Sequence, residues 1–248
     1  MVTVEVEEFV LPCQKECEVI MNKIGIIAAM KPELDFLREE LNDSVTVNHC
    51  GCKFYCGTIG NCDVVLTECG VGKVNSGMAA TIMISYFECN LLINTGIAGA
   101  VGGLKTKDVV IASKLIYHDF DTTIFGYKYG QVPSMPLEFT PNIESVVMIK
   151  RVLNKLGIAY NYCPVYSGDQ FVSKREQLLK INPEIPSACE MEGASIAQVA
   201  VKSGVDFIVL RYISDVIGEE NQVNDYLNFE SEMAERSSKI CSAILNNL

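Results

Sequence analysis

Apolar and polar positions follow two periods along this chain, and the switches between them mark its elements. Residues 23–30 form a near-continuous apolar run, the pattern of a strand buried on both faces. Pro32 suits a first helical turn, and residues 33–41 then repeat at helical spacing. Residues 45–49, 52–58 and 63–68 read as strands, with "IGNCD" as the hairpin turn before the last of them. A helix is predicted over 73–87, then a buried strand over 91–95 that runs into "GIAGAVGG". A further strand covers 109–115. Residues 118–140 are rich in Gly, Pro, Tyr and Phe and read as a long functional loop. A helix over 142–156 stops at Gly157, and a strand ending at Val165 leads into "SGDQF". Ile196, Val199 and Ala200 share one helical face that Gly204 ends, residues 207–213 form a hydrophobic strand, and 225–247 a closing helix. Buried strands alternating with helices predict an α/β fold, one domain over 22–248 with a mixed or parallel sheet covered on both faces.

Composition narrows the partners. The chain has 248 residues, 49% of them hydrophobic, enough for one sizeable core. Its net charge of -11 sets 31 acids against 20 bases, so nucleic acid and anionic lipid would both repel it. A small molecule or another protein is the expected partner. No apolar run reaches the ~18 residues that cross a bilayer. The acidic start "MVTVEVEEFV" lacks the basic region of a secretory signal. Residues 1–21 read as an N-terminal extension, flexible or packed as a short extra element, with Met21 as an alternative start. Eleven cysteines, an odd number without a signal, point to a reducing, cytoplasmic setting and free thiols. Cys50, Cys52 and Cys56 lie near His49, but with Phe54 the three share strand parity, and zinc sites favour Cys-x-x-Cys pairs on turns. They are read as apolar filler, and no metal is expected.

Candidate chemistry gathers at predicted strand ends, where open α/β sheets bind ligands. Met30 and Glu33 follow the first strand, "SGDQFV" follows Val165, "EMEG" brings Glu190 and Glu192, and Ser214 and Asp215 follow 207–213. Each acid alone has an ordinary reading: Glu33 as a first-turn helix acid, Asp215 as a turn cap. Their recurrence at one sheet edge points to a converging polar set, in which an acid among apolar neighbours can stay protonated and donate. Arg211 is placed to pair with a buried glutamate. "GVGKVNSG" fails as a nucleotide loop, because Thr67 and Val74 break the Walker pattern and Asn75 breaks the dinucleotide fingerprint. It reads as a tight strand-to-helix turn whose amides could line a pocket. The glycines of "NTGIAGAVGG" suit close approach to the backbone or a wide loop. His118 and Asp119 lack the Gly-x-Ser-x-Gly elbow of a serine hydrolase.

"GIIAAMKPEL", "NTGIAGA", "YHDFDTTIFGYKYGQVP", "SGDQFV", "EMEGASIA" and "RYISD" occur in this order. Over roughly residues 22–247 the chain thereby resembles the 5'-methylthioadenosine/S-adenosylhomocysteine nucleosidase family of the nucleoside phosphorylase superfamily. The resemblance implies a three-layer nucleoside phosphorylase-like fold and hydrolysis of the adenine–ribose bond without cofactor. It implies Asp215 as the acid that protonates adenine N7 and Glu33 as the carboxylate that activates water. Glu192 would accept the ribose hydroxyls beside Met191, with Glu190 and Arg211 in support. Phe171 would stack on adenine and Val172 would offer it backbone hydrogen bonds. Met30, Val71 and Met191 would line the 5'-thio pocket, and Ala98, Gly99 and Ser214 belong to the substrate-binding set. Phe125 and Pro133 would complete a neighbouring subunit's site in a homodimer. Ile97 departs from the family's usual Ser, and the altered length of "DVIGEENQVNDYLNF" leaves Tyr226 loosely assigned to the 5' pocket. The rival readings are a phosphorolytic purine nucleoside phosphorylase, a hydrolase of another 5'-modified nucleoside such as futalosine, and a non-catalytic nucleoside-binding protein.

Overall fold

The computed structural model describes residues 23–178 and 181–248, so the extension expected over 1–21 lies outside the described residues. The apolar run opens as strand β1 (Lys23–Ala28), and strands β4 (Cys62–Glu68) and β5 (Leu91–Val101) pair with it in parallel on either side. Strands β2 (Asn42–His49) and β3 (Cys52–Ile59) extend the β4 side as an antiparallel meander. On the other side, β5 runs parallel to β9 (Asp206–Val216) along its length, and its last residues pair antiparallel with β8 (Ser187–Glu190). Strand β8 pairs with β7 (Asn161–Ser167), β7 with β6 (Val109–Tyr117), and β6 returns to β9. These pairings close a ring β5–β8–β7–β6–β9 at one end of a nine-stranded mixed sheet.

Strand parity sorts the core into two layers. Ile27 and Leu92 face helices α2 (Lys73–Ser85) and α4 (Gly193–Ser203), among Met83, Ile196 and Ala197. Ile24, Ile26 and Ile93 face α1 (Lys31–Glu39), α3 (Ile143–Lys155) and α5 (Gln222–Leu245), among Leu37, Ile149 and Ile244. The three-layer expectation therefore holds. Gly25 lets α2 lie close, since a Cβ there would sit 2.7 Å from Met83 Sδ.

The structure differs from the sequence reading at several places, strand β8 among them, where the sequence predicts no strand. The glycine-rich stretch after Thr95 is not a loop: β5 continues through it to Val101. Strand β9 runs on to Val216 with an irregularity opposite Ala98 and Gly99, which pair with Ile213 and Asp215 and skip Ser214. Such a bulge re-aims the side chains that follow it. Helix α5 begins at Gln222 rather than 225. Cys50 sits exposed in the turn before β3 with φ +49°, whereas Cys52, Phe54 and Cys56 pack on the core as parity requires. The 118–140 loop carries a short 3-10 turn at Thr123–Phe125 and ends on buried Phe139, which bridges to Leu115.

Candidate active site

One cleft opens where β1, β8 and β9 end and the middle of β5 passes beneath them. It encloses about 630 Å³ of space, solvent at its mouth included, which suits a nucleoside-sized ligand. Four carboxylates meet at it, each 6% exposed or less, and each is held differently.

Glu33 stands in the first turn of α1, where helix acids are favoured. Its Oε2 accepts the N–H groups of Ala29 at 2.9 Å and Met30 at 3.0 Å, and its Oε1 accepts that of Ile97 at 3.0 Å. The carboxylate lies directly on Gly96, where a Cβ would come within 2.6 Å of Oε1. Burial pushes the Glu33 carboxyl above its ordinary range, while Arg211 and the three N–H donors pull the other way. A carboxylate so tuned is suited to act as a base.

Asp215 follows the β9 irregularity. Ser214 Oγ donates to its Oδ1 at 2.6 Å, and Gln222 Nε2 donates to its Oδ2 at 2.8 Å. Gly99 makes its room, because a Cβ there would lie 3.2 Å from Oδ2 and 2.9 Å from Ile217. Burial pushes the Asp215 carboxyl above the ordinary aspartate range against the two hydrogen bonds, so the proton is retained to higher pH than on an ordinary aspartate.

Glu190 is sealed by chain donors. Ser167 Oγ and Arg211 Nη2 both reach it, as do the N–H groups of Glu192 at 3.0 Å and Gly193 at 2.7 Å. Arg211, itself buried, also donates to Asn94 and to the Leu210 carbonyl. With four donors on Glu190, this buried ion pair is scaffolding. Glu192, two residues on, lines the cleft and accepts the N–H of Gly72 at 2.9 Å. Burial, and then the charge of Glu190, push it up to about 7. The turn that carries Gly72 (φ +100°) is pinned by Lys73, whose N–H donates to Asp169 at 2.8 Å and whose Nζ reaches Asp119 at 2.7 Å. Asp119 is thus taken up by Lys73 and the Asp169 N–H, and among the described residues neither ring nitrogen of buried His118 has a hydrogen-bond partner, so no hydrolase triad forms there.

Phe171 presents a half-exposed ring at the cleft, with Tyr226 edge-on at 5.1 Å. The model of the phosphorylase superfamily matches residues 23–246. The 5'-methylthioadenosine/S-adenosylhomocysteine nucleosidase of Staphylococcus haemolyticus is 38% identical over 228 residues, 91% of this chain and 100% of that protein. This chain belongs to that nucleosidase family. The crystal structure of S-adenosylhomocysteine nucleosidase from Streptococcus pyogenes with 5-methylthiotubericidin superposes with a TM-score of 0.86 at 36% identity, over 92% of this chain and 98% of that one. The futalosine hydrolase of Helicobacter pylori gives a TM-score of 0.85 at 30% identity, over 92% and 99%.

For a chain of this nucleosidase family, the cleft gathers nearly all the side chains expected of it. Met30, Val71, Met191, Phe171, Val172 and Ser214 line it with the four acids, and Ile97, Ala98 and Gly99 form its floor on β5. Tyr226, loosely assigned from the sequence, lines it too. Arg211 lies behind Glu190 rather than at the surface of the cleft. Phe125 and Pro133 lie outside it, exposed on the 118–140 loop. Sequence reasoning missed Gln222, which touches Asp215, and Asn94, which orients Arg211. Neither carries a local signal: Gln222 sits in the polar run "GEENQVND", and Asn94 was read only as part of a motif.

Proposed function

We propose that this protein hydrolyses the bond between adenine N9 and ribose C1' in 5'-methylthioadenosine and S-adenosylhomocysteine, releasing adenine and the 5-thio-ribose product. The observation that carries the reading is the pair Asp215 and Glu33: two buried carboxyl groups in one cleft that a half-exposed aromatic ring also lines, the first held by two side chains and the second seated on three backbone N–H groups. A purine leaves through an oxocarbenium-like state, with positive charge on the sugar and electrons moving into the base. Asp215 gives a proton to N7, so the base leaves neutral, and Glu33 takes a proton from the water that attacks C1'. Glu192 accepts the ribose hydroxyls. Met30, Val71 and Met191 receive the thioether, a soft group that such side chains contact well. The named relatives support this assignment.

Phosphorolysis is disfavoured because, among the described residues, no lysine or arginine lines the cleft, and a phosphate dianion needs such cations. The test is adenine release from methylthioadenosine and S-adenosylhomocysteine in phosphate-free buffer. Release without phosphate is expected; release that requires phosphate would remove Glu33 as water activator. The futalosine hydrolase neighbour favours a second reading, hydrolysis of a nucleoside with another 5' group, so futalosine belongs in the same assay. Ile97, half-buried and apolar where the family pattern has a hydroxyl, is the residue expected to shift that ranking.

The same reading makes the protein a homodimer whose 118–140 loop supplies Phe125 and Pro133 to the neighbouring cleft. Ile124 and Phe125 support it, 87% and 76% exposed on a loop braced by Asp119–Lys73 and by Tyr129, whose hydroxyl donates to the His118 carbonyl at 2.7 Å. Sedimentation should give a dimer, and Phe125→Ala should raise KM. Eleven cysteines, nine of them described and none of those nine in a disulfide, support a reducing, cytoplasmic compartment.

A further inference from the structure

Gln222 opens α5 with its side chain 3% exposed, and its carboxamide ties three segments together. Nε2 donates to Asp215 Oδ2 at 2.8 Å and to the Val172 carbonyl at 2.8 Å, while Oε1 accepts the N–H of Gly218 at 2.8 Å. Two acceptors therefore converge on one planar NH2 group. One belongs to the residue assigned as the N7 acid, and the other follows the ring assigned to stack on the base.

That convergence has a chemical reading. Beside N7, adenine carries an exocyclic amine on C6. A carboxyl group lying along that edge donates from one oxygen to N7 and accepts from the amine with the other. The amine's second hydrogen needs another acceptor, and a main-chain carbonyl next to the stacking ring supplies it. A carboxamide NH2 and a purine C6-NH2 are alike in kind, each a planar group on an sp² carbon with two donated hydrogens.

We propose that Gln222 is a specificity-determining residue that holds the place of the substrate's exocyclic amine, so that a 6-aminopurine takes over its two acceptors and releases the first turn of α5. The inference rests on the adenine assignment made above. It explains discrimination: a 6-oxopurine would set a carbonyl oxygen against two acceptors and could not replace the carboxamide, and leaving such acceptors unpaired is strongly selective. It also times the acid. The carboxamide N–H favours ionised Asp215, and its departure, with N7 arriving as an acceptor, favours the protonated form that the reaction uses. Tyr226, one helical turn beyond Gln222 and edge-on to Phe171, would feel the release.

The unmodified protein gives the first measurement: hydrogen exchange at the Gly218 amide, by NMR, with adenine or hypoxanthine bound. Adenine should strip the Gly218 amide of its protection, because Gln222 Oε1 leaves it, and hypoxanthine should leave protection unchanged. Calorimetry on Gln222→Met and Gln222→Glu gives the second. Both lack the competing NH2, and either folded variant should bind adenine about tenfold more tightly than the unmodified protein. Adenine binding with Gly218 protection unchanged, or with no tightening in the folded variants, would overturn the inference alone and make Gln222 a fixed brace. A protein that binds no adenine at all would overturn the base assignment itself, and this inference with it.

Discussion

Gly96→Ala perturbs the seat of Glu33 without removing any polar atom. The new Cβ would stand 2.6 Å from Glu33 Oε1, 3.1 Å from its Cδ and 3.3 Å from Oε2. Ordinary carbon–oxygen contacts begin near ~3.3 Å, so the carboxylate must retreat by about 0.7 Å. The Ile97 N–H bond, 3.0 Å long here, then stretches past the range in which it counts as a hydrogen bond. A lost hydrogen bond to a charged group costs about 1.5–3 kcal/mol and overpacking about 1–3 kcal/mol. The two overlap, because the retreat relieves the clash, and a stability loss of about 2–3 kcal/mol is expected. In a chain of this size each kcal/mol lowers Tm by about 2–4 °C, so Tm should fall by about 4–12 °C.

Activity should fall further than stability suggests. A displacement near 1 Å at a reacting group costs on the order of 10²-fold in rate, so kcat for adenine release should drop about 30–100-fold. KM should barely change, since the role proposed for Glu33 is at the attacking water and not at the base. Initial rates on methylthioadenosine, read beside a thermal melt, make the test. Gly77→Ala is the control: a Cβ there meets nothing within 4 Å, and an alanine inside α2 should add about 0.5–1 kcal/mol with no change in rate. A Gly96→Ala protein with kcat within about threefold of the unmodified one would refute the role given to Glu33.

Other positions carry independent tests. Asp215→Asn should lower kcat by about 10²–10⁴-fold, the span of general acid catalysis, while its melting curve stays near that of the unmodified protein. Glu192→Gln should weaken ribose recognition by about 1.5–3 kcal/mol, read as a fall in kcat/KM for the nucleoside that its 2'-deoxy analogue largely escapes. Burial raises Glu192 from 4.5 to about 7, so the folded protein binds more protons than the unfolded chain between those values, and this group's contribution to stability falls as pH rises through that window. Urea titrations at pH 5 and 8 should therefore show a smaller pH-dependent loss for Glu192→Gln than for the unmodified protein. Arg211→Met should cost about 3–5 kcal/mol by stranding Glu190, and adding Glu190→Gln should recover part of it.

Most of the fold was legible because buried strands and amphipathic helices differ in period, and Gly157 and Gly204 end their helices with φ +67° and +68° as expected. The glycine-rich end of β5 was not legible, because local propensity argues against strand there. Its conformation is imposed by tertiary packing: Gly96 and Gly99 lack side chains so that Glu33 and Asp215 can approach the strand. The close approach was anticipated, but for a ligand rather than for the chain's own carboxylates. The acids themselves stood out as charges beside apolar runs. Gln222 had no such contrast, since a glutamine among Glu, Asn and Asp looks like surface until burial shows otherwise.

The four acids differ in role because they differ in donors, not in kind. Glu190 is the only one of them with a guanidinium partner, and with Ser167 and two N–H groups it has no capacity left for a ligand. It nevertheless acts at a distance, because its charge raises Glu192 next to it. Glu33 is held by three rigid backbone N–H groups, which fix its position while burial brings its basicity up. Asp215 is held instead by one hydroxyl and one side-chain carboxamide, both on rotatable bonds, so its partners can change when a base arrives. A residue that must deliver a proton needs replaceable donors, and one that must hold a water in line needs fixed ones. The backbone provides the second kind and the side chains of Ser214 and Gln222 the first. On the roles proposed above, that division asks for fixed partners at Glu33 and exchangeable ones at Asp215 within a single reaction.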